Sequence, residues 1–330
     1  MSDDKTSPVG MQSAAAVLKQ SKAAAARGVP AVSKRMRRKL DAIELVRERR
    51  DNSRQEIAYS SRPFILCGIP IHQPKGKDTL LYVRRNGKFS LKILANPEYG
   101  LPYGQDRLVL IWIASQAIKQ QSKTVRFKSI HEVIRTFGLH RNGRVYKRIF
   151  DGIQRIFASS VFFGTDDDQT RHSVFDWTRF HYFDRVRLRN DYMLPEEQEP
   201  LPGDDFHNVI ELNQFFFEEL IKHPIPIDME TVRALADSPG ALDLCLWIYY
   251  RTWSAAEEQR IPLFGANGLE QQLGCSAAAR RTFRRQIHRW LNVIRAAWPE
   301  CPATLDDTED TLIIRQGRAI TTQSPRAMIE

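Results

Sequence analysis

The sequence repeats the order of its own apolar and polar segments. The stretch PYGQDRLVLIWIA (102–114) lies over SPGALDLCLWIYY (238–250) with Gly104 opposite Gly240, an offset of 136. Further on, Val145, Ile149, Ile153 and Ile156 fall opposite Phe283, Ile287, Leu291 and Ile294, an offset of 138. Two widely separated pairs of segments thus share nearly one offset. A repeat only a few elements long implies a duplicated domain, not a solenoid. At 330 residues, 42% of them hydrophobic, the chain can supply a core to each copy.

The elements of the first copy follow from periodicity. FILCGIP (64–70) and TLLYVRRNGKFSLKIL (79–94) read as strands, with Asn86-Gly87 as the hairpin turn. A helix is expected over 104–121, a short one over 129–136 and a longer one over 141–158. VFFGT and SVFDWTRFHYFDRVRL flank the polar turn TDDDQTRH and read as a hairpin. The second copy gives helices over 239–254, 267–273 and 276–298, then the hairpin ATLDDTEDTLIIRQG. Helix, short helix, turn, long helix, hairpin is the order of a winged helix, and it occurs twice. The expected fold is therefore α+β: two tandem winged-helix domains, 61–200 and 201–330, behind a basic tail, 1–60. Residues 1–30 hold few large apolar groups and are expected to be disordered. Met36, Leu40, Ile43 and Val46 recur at helical spacing among arginines, which fits a basic helix that orders on an anionic surface or a frayed, solvated one.

The net charge of +10 sits mostly in that tail: residues 19–54 carry twelve Lys or Arg against four acids. The folded part must be judged on where its charges lie. The helix after Gly274 is the strongest local signal. At about 100° per residue, Phe283, Ile287, Trp290, Leu291, Ile294 and Trp298 share one arc. Arg280, Arg281, Arg284, Arg285, His288, Arg289 and Arg295 supply the basic surface, and no acid occurs from Gly274 to Pro299. Like charges at i,i+4 repel, so a helix that accepts Arg281–Arg285 and Arg285–Arg289 is expected to meet an anion. The guanidinium fork suits phosphate oxygens and the O6/N7 edge of guanine. The first copy is weaker: Arg144, Lys147, Arg148 and Arg155 form its basic face, diluted by Asp151, with Arg141, Asn142 and Gly143 at the N-terminal end that would approach bases. This helix is expected to clamp phosphates more than it reads sequence. Both hairpin turns are acidic (Asp166–Asp168; Asp306, Asp307, Glu309 and Asp310), and are expected to point away from DNA or towards a partner.

Several chemistries lack their residues. The longest apolar run, Leu108–Ala114, is too short for the ~20 residues of a membrane span. Cys67, Cys245, Cys275 and Cys301 show no C-x-x-C spacing, fit a reducing cytoplasm and read as buried small apolar residues. HEVIR (131–135) has Arg135 where a zincin helix needs its second histidine, and PKGKD (74–78) lacks both the first glycine and the Ser or Thr of a phosphate loop. FHYF offers His181 alone, with Phe183 where a nicking enzyme would place its second ligand. No catalytic, cofactor or metal residues are expected.

PYGQDR (102–107) with its apolar helix, the preceding RRNGKFSL, and HPIPIDMETVRALADSPGALDLCLWIYYR (223–251) together resemble plasmid-encoded RepA replication initiators over about 62–318. The resemblance implies tandem winged-helix domains that bind repeated double-stranded sites, the iterons, at a plasmid origin. It implies opening of the adjacent duplex, recruitment of the host initiator and replicative helicase, and dimers formed through the first domain. A transcriptional repressor with the same fold is the alternative, and an origin-nicking enzyme a more distant one.

Overall fold

The computed structural model describes residues 41, 43–46, 48–49, 55–75, 80–87, 89–165, 176–189, 208–254, 257–265, 267–275, 280–317 and 321. The disordered tail expected over 1–30 and the acids 166–168 lie outside them. Residues 43–46 are helical, and Ile43 and Val46 are buried against Ala234 and Ala297. Ile43 and Val46 of the expected stripe thus dock on the protein's own body, while Met36 and Leu40 lie outside the described residues.

The folded chain enters as β1 (Ile57–Ser60), followed by a short helix, α1 (Arg62–Leu66), where a strand was expected. Pro63 is the cause: near a helix start its missing N–H is not needed and its fixed φ suits the turn. The hairpin β2 (Leu81–Asn86) and β3 (Phe89–Leu94) pairs Asn86 with Phe89, so its turn begins one residue later than expected, at Gly87 with φ +58°. Asn86 is held in the ladder because its amide donates to the Leu66 carbonyl at 2.9 Å and accepts from Arg251 Nη2 at 2.8 Å.

Next come α2 (Asp106–Gln120), β4 (Thr124–Phe127), α3 (Ile130–Thr136) and α4 (Gly143–Phe157). α2 is buried on every side from Asp106 to Ser115, as a helix apolar all round must be. Ser129 caps α3 and Asn142 caps α4, each accepting a backbone N–H of its first turn. The expected hairpin is present as β5 (Ser160–Thr165) and β6 (Asp176–His181), but it does not serve α4 as its wing. β5 pairs with β3, giving a four-stranded sheet in the order β2-β3-β5-β6. The chain bends at the buried Tyr182 and changes sheet. β7 (Phe183–Arg187) and β8 (Asn208–Leu212) then form the three-stranded sheet β4-β8-β7. The segment continues through α5 (Gln214–Lys222), β9 (Ile225–Asp228), which pairs with β1, and α6 (Met229–Leu235).

The second copy runs α7 (Pro239–Ser254), β10 (Gln259–Pro262), α8 (Leu269–Gln272), α9 (Arg280–Ala297), β11 (Ala303–Asp306) and β12 (Thr311–Ile314). Its sheet has the order β10-β12-β11. In both copies the last strand lies between the other two, antiparallel to each. The repeat read from sequence is therefore a repeat of topology, with β5–β6 inserted into the first copy.

The two copies share one apolar core, which contains Trp112 of α2, Ile153 of α4, Trp247 of α7 and Leu291 of α9. Close approach is arranged by glycine at different places. A Cβ on Gly240 would stand 2.0 Å from the Trp290 ring, so α7 has no room for a side chain beneath α9. In the first copy the glycine is on the long helix, where a Cβ on Gly152 would stand 2.6 Å from an Asp106 carboxylate oxygen. A buried ionic knot joins the copies. Arg107 grips Asp243 with two hydrogen bonds, Nε to Oδ1 at 2.7 Å and Nη2 to Oδ2 at 2.8 Å, and Nη2 also donates to the Ile69 carbonyl at 2.9 Å. Arg84 of β2 reaches the same carboxylate at 3.8 Å and donates Nε to the Gln272 carbonyl at the end of α8. Such a knot adds little net stability once its desolvation is charged, but losing one partner strands a buried charge.

Candidate nucleic-acid interface

α9 is amphipathic as its sequence requires. Phe283, Ile287, Trp290, Leu291 and Ile294 are buried, each worth about 1.5–3 kcal/mol for an aliphatic or Phe side chain. The opposite face carries the cations, and it divides into two rows. Arg281, Arg285 and Arg289 are exposed, and among the described residues no carboxylate pairs with them. They stand one helical turn apart, about 6 Å at 1.5 Å per residue. Arg280, also exposed, lies over the Phe264 ring at 5.0 Å. Arg295 is turned inward and donates to the Ala303 carbonyl at 2.9 Å.

Arg284 and His288 form the second row, and both meet acids of the β11–β12 turn. Arg284 donates Nε to Asp310 at 2.7 Å and places Nη2 2.5 Å from the same oxygen. His288 Nε2 lies 2.7 Å and 3.0 Å from the two oxygens of Asp307. The expectation that this acidic turn points away from DNA or towards a partner is corrected: it folds back onto its own helix. The turn is short enough to do so, and its acids gain by neutralising a helix with none of its own. Glu309 completes the arrangement by pairing with Arg260 of β10 at 2.5 Å. The signal was available in sequence, as four acids in five residues directly after the acid-free helix.

The first copy is different. Arg144 and Lys147 are exposed on α4, and Lys147 reaches Asp151 one turn on at 3.1 Å. Arg148 is exposed as well. Desolvation pulls its guanidinium below its ordinary value, while Asp237, and then Asp106, pull it back up. Arg141 is exposed ahead of the helix. Asn142 spends its side-chain oxygen on the Val145 N–H at 2.9 Å, so its first role is to start the helix. Arg155 does not belong to the basic face. It makes a two-pronged pair with Asp106 at 2.8 and 2.9 Å and is nearly buried, so α4 is bound to α2 by this contact.

A cleft beside α9 adds groups that sequence did not single out. It is lined by Lys75 and Arg85 from the N-terminal segment and by Gln271, Thr282 and Gln286 from α8 and α9. Chain-distant residues such as these carry no local signal of their meeting. The four cysteines are free, and burial raises the thiols of Cys67 and Cys301 to about 11 and that of Cys275 to about 12. They are protonated packing groups at neutral pH. Among the described residues no three His, Cys, Asp or Glu side chains gather as a metal site, and no helix is long and apolar enough to cross a membrane.

A family model described as plasmid encoded RepA protein (RepA_C) matches residues 145–261, from the first turn of α4 to β10. Over that stretch, about a third of the chain, the sequence is similar to the plasmid-encoded RepA family, to which its motifs also pointed. No curated protein matches it in sequence. Similar solved structures include two of RctB. A crystal structure of its domains 2 and 3 aligns at 14% identity with a TM-score of 0.48, covering 71% of this chain and 85% of that one. A second, also of domains 2 and 3, aligns at 13% identity with a TM-score of 0.47, covering 75% and 95%.

Proposed function

We propose that the protein is a plasmid replication initiator that binds repeated double-stranded sites at its origin through two winged-helix units, with α9 reading the major groove and α4 holding phosphates. The observation that carries this reading is the exposed row Arg281, Arg285 and Arg289 on a helix without acids. A row of like charges one turn apart that pairs with no carboxylate among the described residues is suited to a polyanion. The two units are the copies with sheets β4-β8-β7 and β10-β12-β11; the third strand returning beside the first is what a wing requires. The 61–200 and 201–330 division then marks the units only roughly, because β8 returns to β4.

The similarity to the RepA family over 145–261 supports extending the reading to origin opening, to recruitment of a host initiator and helicase, and to dimers through the first unit. The protein acts here as a binding protein in the cytoplasm, not as an enzyme. The deciding experiment is a footprint on the origin of the plasmid that encodes it. Protection of direct repeats beside an AT-rich stretch is expected, with R285A losing about 1–3 kcal/mol and relaxing sequence choice at one position. Protection confined to a promoter operator, with no repeats, would favour a repressor. Nicking of supercoiled origin plasmid with Mg²⁺ would overturn the non-enzymatic reading.

A further inference from the structure

We propose that the β11–β12 turn is a built-in competitor for DNA phosphate, with Asp307 and Asp310 occupying His288 and Arg284 and so limiting how tightly α9 holds duplexes of arbitrary sequence. The inference rests on the DNA-binding reading above and adds a regulator to that same helix.

Every acid of the turn has a defined place. Asp306 builds it, accepting from the Thr308 N–H at 3.0 Å, the Thr308 hydroxyl at 2.6 Å and the Glu309 N–H at 3.3 Å. Glu309 is spent on Arg260. Asp310 takes a left-handed backbone conformation, φ +51°, and its carbonyl accepts the Leu263 N–H at 2.7 Å. The backbone of the turn is thereby fixed, and Asp307 and Asp310 are delivered to α9 one turn apart. A carboxylate on a guanidinium uses the N–H groups that a phosphate would use.

The contacts are poorly suited to holding the fold together. Arg284 and Asp310 are 34% and 31% exposed, and His288 and Asp307 45% and 52%. Pairs so open to water contribute little to stability. They are well suited to being replaced. The latched row, 284 and 288, adjoins the open row, 281, 285 and 289, on the helix surface. A duplex of arbitrary sequence can use the open row but must evict two carboxylates to use the other. Asp307 and Asp310 are positioning residues in this scheme, and they set the ratio of cognate to random binding.

The test measures binding of the full-length protein to a labelled random-sequence duplex of about 30 base pairs and to its own origin DNA, across a KCl series. D307N/D310N keeps the shapes and removes the charges. It is expected to bind the random duplex about tenfold tighter. The salt slope should steepen by about one unit, from the phosphate recruited by Arg284. Origin affinity should rise less, so the cognate-to-random ratio falls. E258Q/E309Q removes two charges that face Arg260 and Arg315 instead of α9, and should leave the ratio unchanged. The single variant D310N, which frees the guanidinium of Arg284, should move the slope in the same direction by about one unit. An unchanged ratio in a folded D307N/D310N protein, or an equal change in E258Q/E309Q, overturns the competitor while leaving DNA binding intact. Parent protein that binds neither duplex overturns both.

Discussion

Arg107 and Asp243 stand 136 residues apart, at equivalent positions of the two copies, and they bind each other. A residue in the first turn of α2 is thus clamped to its counterpart in α7 of the other half. The repeat sets equivalent positions against each other, and the two carry opposite charge. Arg84 adds a second cation to the same carboxylate, so Asp243 serves two buried guanidiniums.

Removing Asp243 should therefore cost more than removing either arginine. D243N leaves both cations without a carboxylate, and a loss of about 3–5 kcal/mol is expected. R107M leaves Asp243 with Arg84 and should cost less. Urea unfolding of the two variants gives the order directly; R107M the more damaging would refute it.

Gly240 tests the contact between α7 and α9. A Cβ there would lie 2.0 Å from the Trp290 ring, so G240A should destabilise by about 1–3 kcal/mol through overpacking. Adding W290F, which shortens the ring system, should recover part of the loss. Thermal melting of the single and double variants checks this; a double variant no more stable than G240A would refute it.

The open arginine row predicts a salt dependence. R281A/R285A/R289A should reduce the slope of log affinity against log salt by about three units, at ~0.9 per phosphate contact. K147A on α4 should reduce it by about one and weaken all sequences alike. Filter binding at several salt concentrations measures both.

Asp306 predicts an acid limb. Its carboxyl is held below the model-peptide value of 3.8, first by the Thr308 hydroxyl and then by the Thr308 and Glu309 N–H groups. Because the folded value is lowered, the stabilisation is fully present above 3.8 and disappears as pH falls through the lowered value. The melting temperature of the parent should exceed that of D306N at pH 7, and the gap should close below pH 3.8.

The duplicated order of helices was legible because each long helix writes its apolar stripe locally, as Val145–Ile156 and Phe283–Ile294 do. Pairing partners were not. VFFGT is apolar and β-branched whether it joins β3 or β4, and only the tertiary fold sends it to β3. The strands β4, β8, β9 and β10 are four or five residues long, too short to assert a period of two. At the interface, the basic face of α9 was readable from residue spacing. The fate of Arg155 was not, since its acid, Asp106, comes from a different helix far back in the chain, whereas the acids that meet Arg284 and His288 follow α9 as a cluster.

The single core that runs through both copies has a mechanical consequence. Two modules on a tether could each seek its own groove and tolerate a spacer of any length. Here α4 and α9 are built on one continuous apolar core, like two jaws on a single frame. Each base pair inserted into a site moves the distal half by about 3.4 Å and turns it by about a tenth of a revolution. A duplex engaged by both helices must therefore carry its two halves at one fixed phase.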